Sequence, residues 1–397
     1  MSSYASLPEP SESALKHSHA VQQIIRSKIL DADNWISFAE YMELILYAPG
    51  LGYYSSGTSK FGDSGDFVTA PEISTLFGQT LARQAEQILN LIDRADILEF
   101  GAGSGKLALD ILLELEKKEC LPNKYFILEL SADLRQRQQT LFEKRAPHLL
   151  PLLHWLDELP TQFNGFIFAN EVLDAMPVHL VTWQDKSIFE RGVTWLDNNY
   201  AWKERALHTG QLFEIASELT LTPQNNTNGI QSARYTSEIS LAVRQFIRSI
   251  NDILQQGAVV LIDYGFGSDE YYHPQRDQGT LMCHYRHHSH ADPFYLPGLQ
   301  DVTSHVDFSA VFHSMGNTQL NLLGYTTQAH FLINCGITSI LSQTPAEQIG
   351  DYLPLSNQLQ KLTSPAEMGE LFKVIALGKN INVPLIGFTS GDKSHLL

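Results

Sequence analysis

Cysteine is scarce. The three in 397 residues, Cys120, Cys283 and Cys335, are odd in number and far apart, which argues against a disulfide framework or a four-cysteine zinc site and for a reducing compartment. Positive charge is short as well: 27 Lys and Arg face 44 Asp and Glu, a formal charge of −17. That field repels phosphate backbones, so nucleic acid is not the expected substrate, and a basic protein segment suits the surface better. No apolar run reaches the roughly 18 residues that a membrane-spanning helix needs, so membrane insertion is not expected either. Residues 1–18 lack the basic start and apolar stretch of a secretion signal and are too acidic for a mitochondrial presequence. They read as a disordered leader, and the chain as cytoplasmic.

What is present suits a folded α/β protein. The hydrophobic share is 43%, and the length fits two to three domains or one enlarged domain with insertions. Apolar residues at three- and four-residue spacings, first Ile24, Ile25 and Ile29, then Phe38, Met42, Ile45 and Leu46, predict two helices within 19–47. A glycine-rich loop follows to about Phe67, and a helix over 71–92 with Pro71 in its first turn. These make an N-terminal helical segment, 19–94. From Ala95 the pattern alternates: strand 95–100, helix 106–118, strand 125–130, helix 131–145, then strands near 152–156 and 166–169. This order implies a mostly parallel sheet with helices on both faces. The reading continues with an antiparallel β insertion at about 178–235, which includes an exposed loop at 223–229, and a helix over 237–256. A buried strand at 258–264, a second insertion at about 266–300 and a closing strand at 372–377 complete a catalytic unit of 95–378, with a C-terminal tail from 379.

The most informative segment is Glu99-Phe100-Gly101-Ala102-Gly103-Ser104-Gly105, between a strand and a helix. Glycine is needed where a turn takes positive φ and a ligand approaches the backbone closely. A phosphate-cradling loop would require Gly at Phe100 and Ser or Thr at Leu107, and a dinucleotide fold would require a small residue at Lys106. Gly-x-Gly-x-Gly with an acid two residues upstream resembles motif I of class I methyltransferases. A dinucleotide enzyme and a merely tight turn remain as alternatives. Glu129 lies 24 residues beyond Gly105 at the end of the next strand, where α/β folds put a carboxylate on ribose hydroxyls, or where it would cap the helix at Ser131. Asn170, Glu171 and Asp174 follow the fourth strand at the same edge. Carboxylates there suit a guanidinium, which they bind by paired hydrogen bonds; helix capping by Asn170 and Asp174 is the plain alternative.

Six stretches then carry a resemblance: 65–74 (GDFVTAPEIS), 99–105 (EFGAGSG), 170–179 (NEVLDAMPVH), 262–266 (IDYGF), 300–308 (QDVTSHVDF) and 365–374 (PAEMGELFKV). Together, over roughly residues 41–377, they resemble the MidA family, that of the mitochondrial complex I assembly arginine methyltransferase. The resemblance implies a class I methyltransferase fold using S-adenosylmethionine. For the mitochondrial members it implies symmetric dimethylation of an arginine on a complex I subunit. Carried over by position, Gly101, Ala102, Gly103 and Gly105 fall on the cofactor turn with Glu99 before them, Glu129 on the ribose position, and Asn170 and Glu171 on the edge facing the cofactor. Asp66, Glu72 and Asp174 fall on the substrate side. Without a recognisable presequence the chain resembles a bacterial member; a eukaryotic source would place it in the mitochondrial matrix. A protein bearing an accessible arginine is the expected partner, and a homodimer a further expectation.

Three other features have two readings each. Asp301, Thr303, His305 and Asp307 alternate with Val302, Ser304, Val306 and Phe308, so that His305 with Asp307 could accept a proton, or Asp307 could cap a helix. The run from Cys283 to His290, with four histidines, is too dense for one zinc site and fits a loop or active-site wall better. Tyr53, Tyr54, Phe61 and Phe67 fit packing of the N-terminal segment, with stacking on adenine as the alternative. At the level of function, a nicotinamide oxidoreductase, a non-catalytic assembly chaperone and a small-molecule methyltransferase are the rivals.

Overall fold

The computed structural model describes residues 7–56, 69–219 and 234–397. Helix α1 (Glu12–Asp31) leads through strand β1 (Ile36–Ser37) into α2 (Phe38–Tyr47), then α3 (Ala70–Ile73) and α4 (Thr75–Leu89). The alternating core follows: β2 (Asp96–Phe100), α5 (Lys106–Lys117), β3 (Tyr125–Leu128), α6 (Ala132–Arg145), β4 (Leu153–Leu156) and β5 (Phe163–Asn170). Strands β6 (His179–Gln184), β7 (Ser187–Leu196) and β8 (Asn199–Ala206), helix α7 (Gln211–Glu218) and strand β9 (Arg234–Ile239) come next, before α8 (Leu241–Ile253) and β10 (Leu254–Phe266). The chain closes with β11 (Met282–Tyr285), β12 (His288–His290), β13 (Asp301–Thr303), β14 (Val306–Asp307), β15 (Asn321–Thr327) and β16 (Phe372–Lys379), with several helices between β15 and β16, the longest at Ile349–Thr363.

The expected mostly parallel sheet is there, in the order β15-β16-β10-β5-β2-β3-β4, with β14 paired to the end of β10. Strands β4, β3, β2, β5 and β10 run parallel, and β16 is antiparallel to β10 and to β15. The central strands read as near-continuous apolar runs because both faces are covered. On one face Ile97, Phe166, Phe168, Val260 and Val374 meet α4 and α5; on the other Leu98, Ile167, Val259, Leu261 and Ile375 meet α8. Chain order reverses between β2 and β5, and in open α/β sheets the crevice beyond the carboxyl ends at such a point receives the ligand. A second core joins α1 and α2 to an antiparallel sheet, β1-β7-β6-β9 with β8 on β7.

Local capping explains where the elements depart from their sequence pattern. Ser11 accepts from the Ala14 amide, so α1 starts at Glu12, inside the segment expected to be a disordered leader. The helix expected over 71–92 is broken at Ser74, which is extended (φ −155°) and caps α4 by accepting from the Leu76 amide at 3.2 Å. The helix expected from 237 begins only at Leu241 under the Ser240 cap, because 234–239 is claimed by pairing with β6. Beyond 379 the chain folds back on α4: Leu385 is buried, and the Gly387 amide donates to Gln84 at 3.0 Å. The loop expected at 223–229 lies outside the described residues.

Candidate active site

The carboxyl ends of β2, β3, β5 and β10 open into a cavity of about 840 Å³. After β2 the backbone turns through Gly101 (φ 64°) and Gly103 (φ 54°), and Gly105 (φ 82°) starts α5 as a left-handed N-cap without a side chain. A Cβ at Gly101 would press on Val172 at 3.1 Å, and one at Gly105 would sit 3.0 Å from Cγ of Gln138, so both positions demand glycine for space as well as conformation. The same Gln138 donates to the Gly103 carbonyl at 2.9 Å and to Glu129 at 3.3 Å, which locks the turn to the end of β3. From the other side the Ser104 hydroxyl donates to Glu72, and Lys106 Nζ donates to the Pro71 carbonyl at 2.5 Å, fastening α3 over the turn.

Glu129 is buried, with Oε1 taking the Ser131 amide at 3.0 Å; burial raises its carboxyl pKa above the ordinary value. That hydrogen bond is the local role at the start of α6 that the sequence offered as the alternative to ribose binding. Glu99 is buried beneath the turn. Burial pushes its carboxyl up to about 8, although the Tyr125 hydroxyl donates to it at 2.7 Å.

Beyond β5 the chain makes an abrupt bend. Glu171 takes a left-handed φ of 53°, uncommon for a residue with a side chain, and its amide is held by the Ile262 carbonyl at 2.9 Å. Strain of this kind persists only where the surroundings over-determine it, and it clusters at functional sites. Here the determinant is Asp263 on β10, fully buried, whose Oδ2 accepts from the Leu173 and Asp174 amides at 2.9 and 3.2 Å and whose Oδ1 accepts from the Tyr264 amide. The bend presents Glu171, pushed up to about 7 by burial and then by Asp174, and Asp174, pushed up to about 6 by burial. The Tyr264 hydroxyl donates to Asp174 Oδ2 at 2.7 Å, while Asp174 Oδ1 and Asn170 Oδ1 are buried without partners among the described residues. Orphaned acceptors carry a desolvation cost of about 1–3 kcal/mol each unless a ligand donates to them.

Glu72, Glu99, Gly101, Ala102, Gly103, Glu129, Asn170, Glu171 and Asp174, the site residues picked out from sequence, all line this one cavity. Gly105 shapes it from behind as the cap of α5. Asp66 lies outside the described residues. His305 does not join them. The alternation expected from 301 breaks between β13 and β14, Asp307 caps the following helix by accepting from the Ala310 amide, and the imidazole packs against the rings of Tyr264 and Phe266. Burial, with Arg276 and Lys373 nearby, pushes His305 down to about 4, so it is neutral at physiological pH. The histidine-rich run forms the β11–β12 hairpin, and the described residues contain no group of metal-binding side chains. Tyr53 and Tyr54 both pack in the N-terminal core and both line the cavity; Phe61 and Phe67 lie outside the described residues.

Sequence reasoning gave no site role to Tyr47, Tyr264 and Asp301, which line the cavity from α2, β10 and β13; Tyr54, read as packing with stacking on adenine as the alternative, lines it from the loop after α2. Tyr264 and Asp301 lie in stretches that carry the resemblance, but nothing in their spacing assigns them a task. The charged groups of a largely apolar lining are carboxylates: Glu72, Glu99, Glu129, Glu171, Asp174 and Asp301, with the exposed Glu40 and Glu43. Among the described residues no Lys or Arg lines it. Such a wall repels a pyrophosphate and accepts a cationic nucleoside.

Comparison with known proteins agrees. Residues 80–326 match the family described as "Putative S-adenosyl-L-methionine-dependent methyltransferase". The chain belongs to the MidA family. A crystal structure of a superfamily member from Burkholderia thailandensis, bound to S-adenosyl-homocysteine, is 46% identical with a TM-score of 0.93, covering 99% of this chain and 100% of that one. The mitochondrial protein arginine methyltransferase NDUFAF7 of Danio rerio is 28% identical over 95% of this chain and 92% of its own, and its Drosophila melanogaster homolog 26% over 96% and 91%. This member of the MidA family is thus a methyltransferase that uses S-adenosylmethionine. Its residues fit that cofactor: positive-φ glycines that admit close approach, the buried Glu129 carboxylate beside them after β3, and the unpartnered Asn170 oxygen. No described helix is long and apolar enough to cross a membrane.

Proposed function

We propose that the chain transfers a methyl group to a guanidinium nitrogen of an arginine on a protein. The observation that supports this reading is the carboxylate-lined cavity, without Lys or Arg among its described residues, ending on Asp174 Oδ1, a buried acceptor without a donor. When bound, S-adenosylmethionine supplies an electrophilic methyl group on a sulfonium. Glu129 and the Gly101–Gly105 turn would hold the nucleoside, and Asn170 would accept from its amino group. Displacement at a methyl needs an aligned nucleophile and little else, so positioning does most of the work. Asp174 and Glu171 would accept two guanidinium N–H groups and orient the third nitrogen. As the N–C bond forms and the S–C bond breaks, the nitrogen loses one proton, which Glu171 or Asp174 takes up. Their raised pKa values make them better acceptors than ordinary carboxylates.

The resemblance makes a complex I subunit the first target to examine. Mass spectrometry of the proteome with and without the protein should reveal an arginine methylation that disappears with it, and its mass and fragmentation give the number and symmetry of methyl groups. The purified protein should restore the mark, and Asp174→Asn should not, while still binding S-adenosyl-homocysteine. Loss of methylation only on other residue types, or only on small molecules, would refute the arginine reading and leave the methyltransferase intact.

A further inference from the structure

We propose that Tyr47, Tyr54 and Asp301 form the subsite that selects a planar, delocalised cation over a point charge, and so distinguish arginine from lysine. The inference rests on the arginine reading above. Tyr47 and Tyr54 stack on each other with ring centroids 5.5 Å apart and planes at 21°. Each is tied to the chain around Asp174. The Tyr47 hydroxyl donates to the carbonyl of Ala175 at 2.9 Å, and the Tyr54 hydroxyl donates to Asp301 Oδ2 at 2.8 Å. Three residues past Asp301, the Ser304 amide donates to the Asp174 carbonyl at 3.0 Å. The aromatic pair and Asp301 therefore belong to one rigid frame with Asp174, whose Oδ1 is buried, unpartnered and on the cavity wall. Burial and then Asp301 and Asp174 push both tyrosine hydroxyls well above their ordinary pKa, so they stay protonated donors.

The chemistry of this frame favours guanidinium. A guanidinium is weakly hydrated, stacks on aromatic rings and carries five N–H donors in a fixed plane; an ammonium holds its water tightly and stacks poorly. Tyr47 and Tyr54 offer apolar ring surface beside Asp174, and Asp301 adds a charge while holding Tyr54 in place. Neither tyrosine touches the Gly101–Gly105 turn by hydrogen bond, so selection of the substrate cation and retention of the cofactor are separable.

The test uses the full chain saturated with S-adenosyl-homocysteine and three capped amino acids as probes: N-acetyl-arginine methylamide and its lysine and citrulline counterparts, with binding followed by ligand-observed NMR titration. Wild type should prefer arginine to lysine by about 10-fold and bind citrulline least, the size expected for a partly desolvated cation–π contact. Tyr54→Leu and Asp301→Asn should bring the arginine-to-lysine ratio towards one with cofactor-product affinity unchanged. Should either lose that affinity through misfolding, Tyr54→Phe, which keeps the ring and removes its tie to Asp301, decides by the same ratio. Variants that keep both cofactor affinity and the wild-type ratio overturn the inference alone. Wild type that binds arginine no better than citrulline overturns the arginine reading on which it rests.

Discussion

Gly105→Ala isolates the bend on which cofactor binding depends. Gly105 has φ 82° and ψ 1°, a left-handed conformation that costs an L-residue about 1–2 kcal/mol. The added Cβ would lie 3.0 Å from Gln138 Cγ and 3.3 Å from Gln138 Cα, and the second atom is backbone, so α6 must retreat. Overpacking of that kind adds about 1–3 kcal/mol, for a total of about 2–5 kcal/mol. Gly50→Ala is the control: its φ is 69°, but nothing lies within 4 Å of the new Cβ, so only the conformational part is lost. Urea titration should therefore show Gly105→Ala to be less stable than Gly50→Ala by about 1 kcal/mol or more. The displaced Gln138 also loosens its hydrogen bond to Glu129, worth about 1.5 kcal/mol for a charged acceptor, so calorimetry should show S-adenosyl-homocysteine binding about 10-fold weaker. Equal destabilisation by the two substitutions, or unchanged affinity in Gly105→Ala, would refute this account of the turn.

Two further outcomes follow from the electrostatics. Glu99, Glu171 and Asp174 are pushed up to about 8, 7 and 6, so the folded protein holds more protons than the unfolded chain between about pH 4 and 8. Their stabilising contribution is complete below the unfolded carboxyl pKa and is lost as pH rises through the folded values. A bound cation must then lower these pKa values: S-adenosylmethionine titrated at pH 7 in buffers of different ionisation enthalpy should release protons, and uptake of protons would contradict the assignment. His305→Gln should leave the pH profile of methyl transfer unchanged, because the imidazole is already neutral and lies off the cavity; loss of the profile's rising limb would restore His305 as a proton acceptor.

What the chain order alone determined was the cofactor rim. A strand–turn–helix with three glycines and an acid at the next strand end is encoded within some thirty consecutive residues, 99–129, and parallel strands can deliver those ends only to one edge. The apolar runs at 166–169 and 258–264 likewise mark central strands by their composition, since a strand covered on both faces has little polar side to show, although the strands themselves extend to 163–170 and 254–266. The opposite wall was decided by tertiary packing. Tyr47 and Tyr54 reach the cavity because α2 joins a second core built with β6 and β7, well over a hundred residues away, and no local period records that docking. Asp263 illustrates the same limit. It reads as one more acid after an apolar strand, yet it holds the strained bend at Glu171 because β10 lies beside β5 in register. His305 lies apart from the cavity for the converse reason: an alternating pattern is evidence of a shared face only while the strand continues, and here it stops at Thr303. Spacing along the chain specifies a turn; which side chains then share a charge and a solvent-free volume is set by the meeting of two cores.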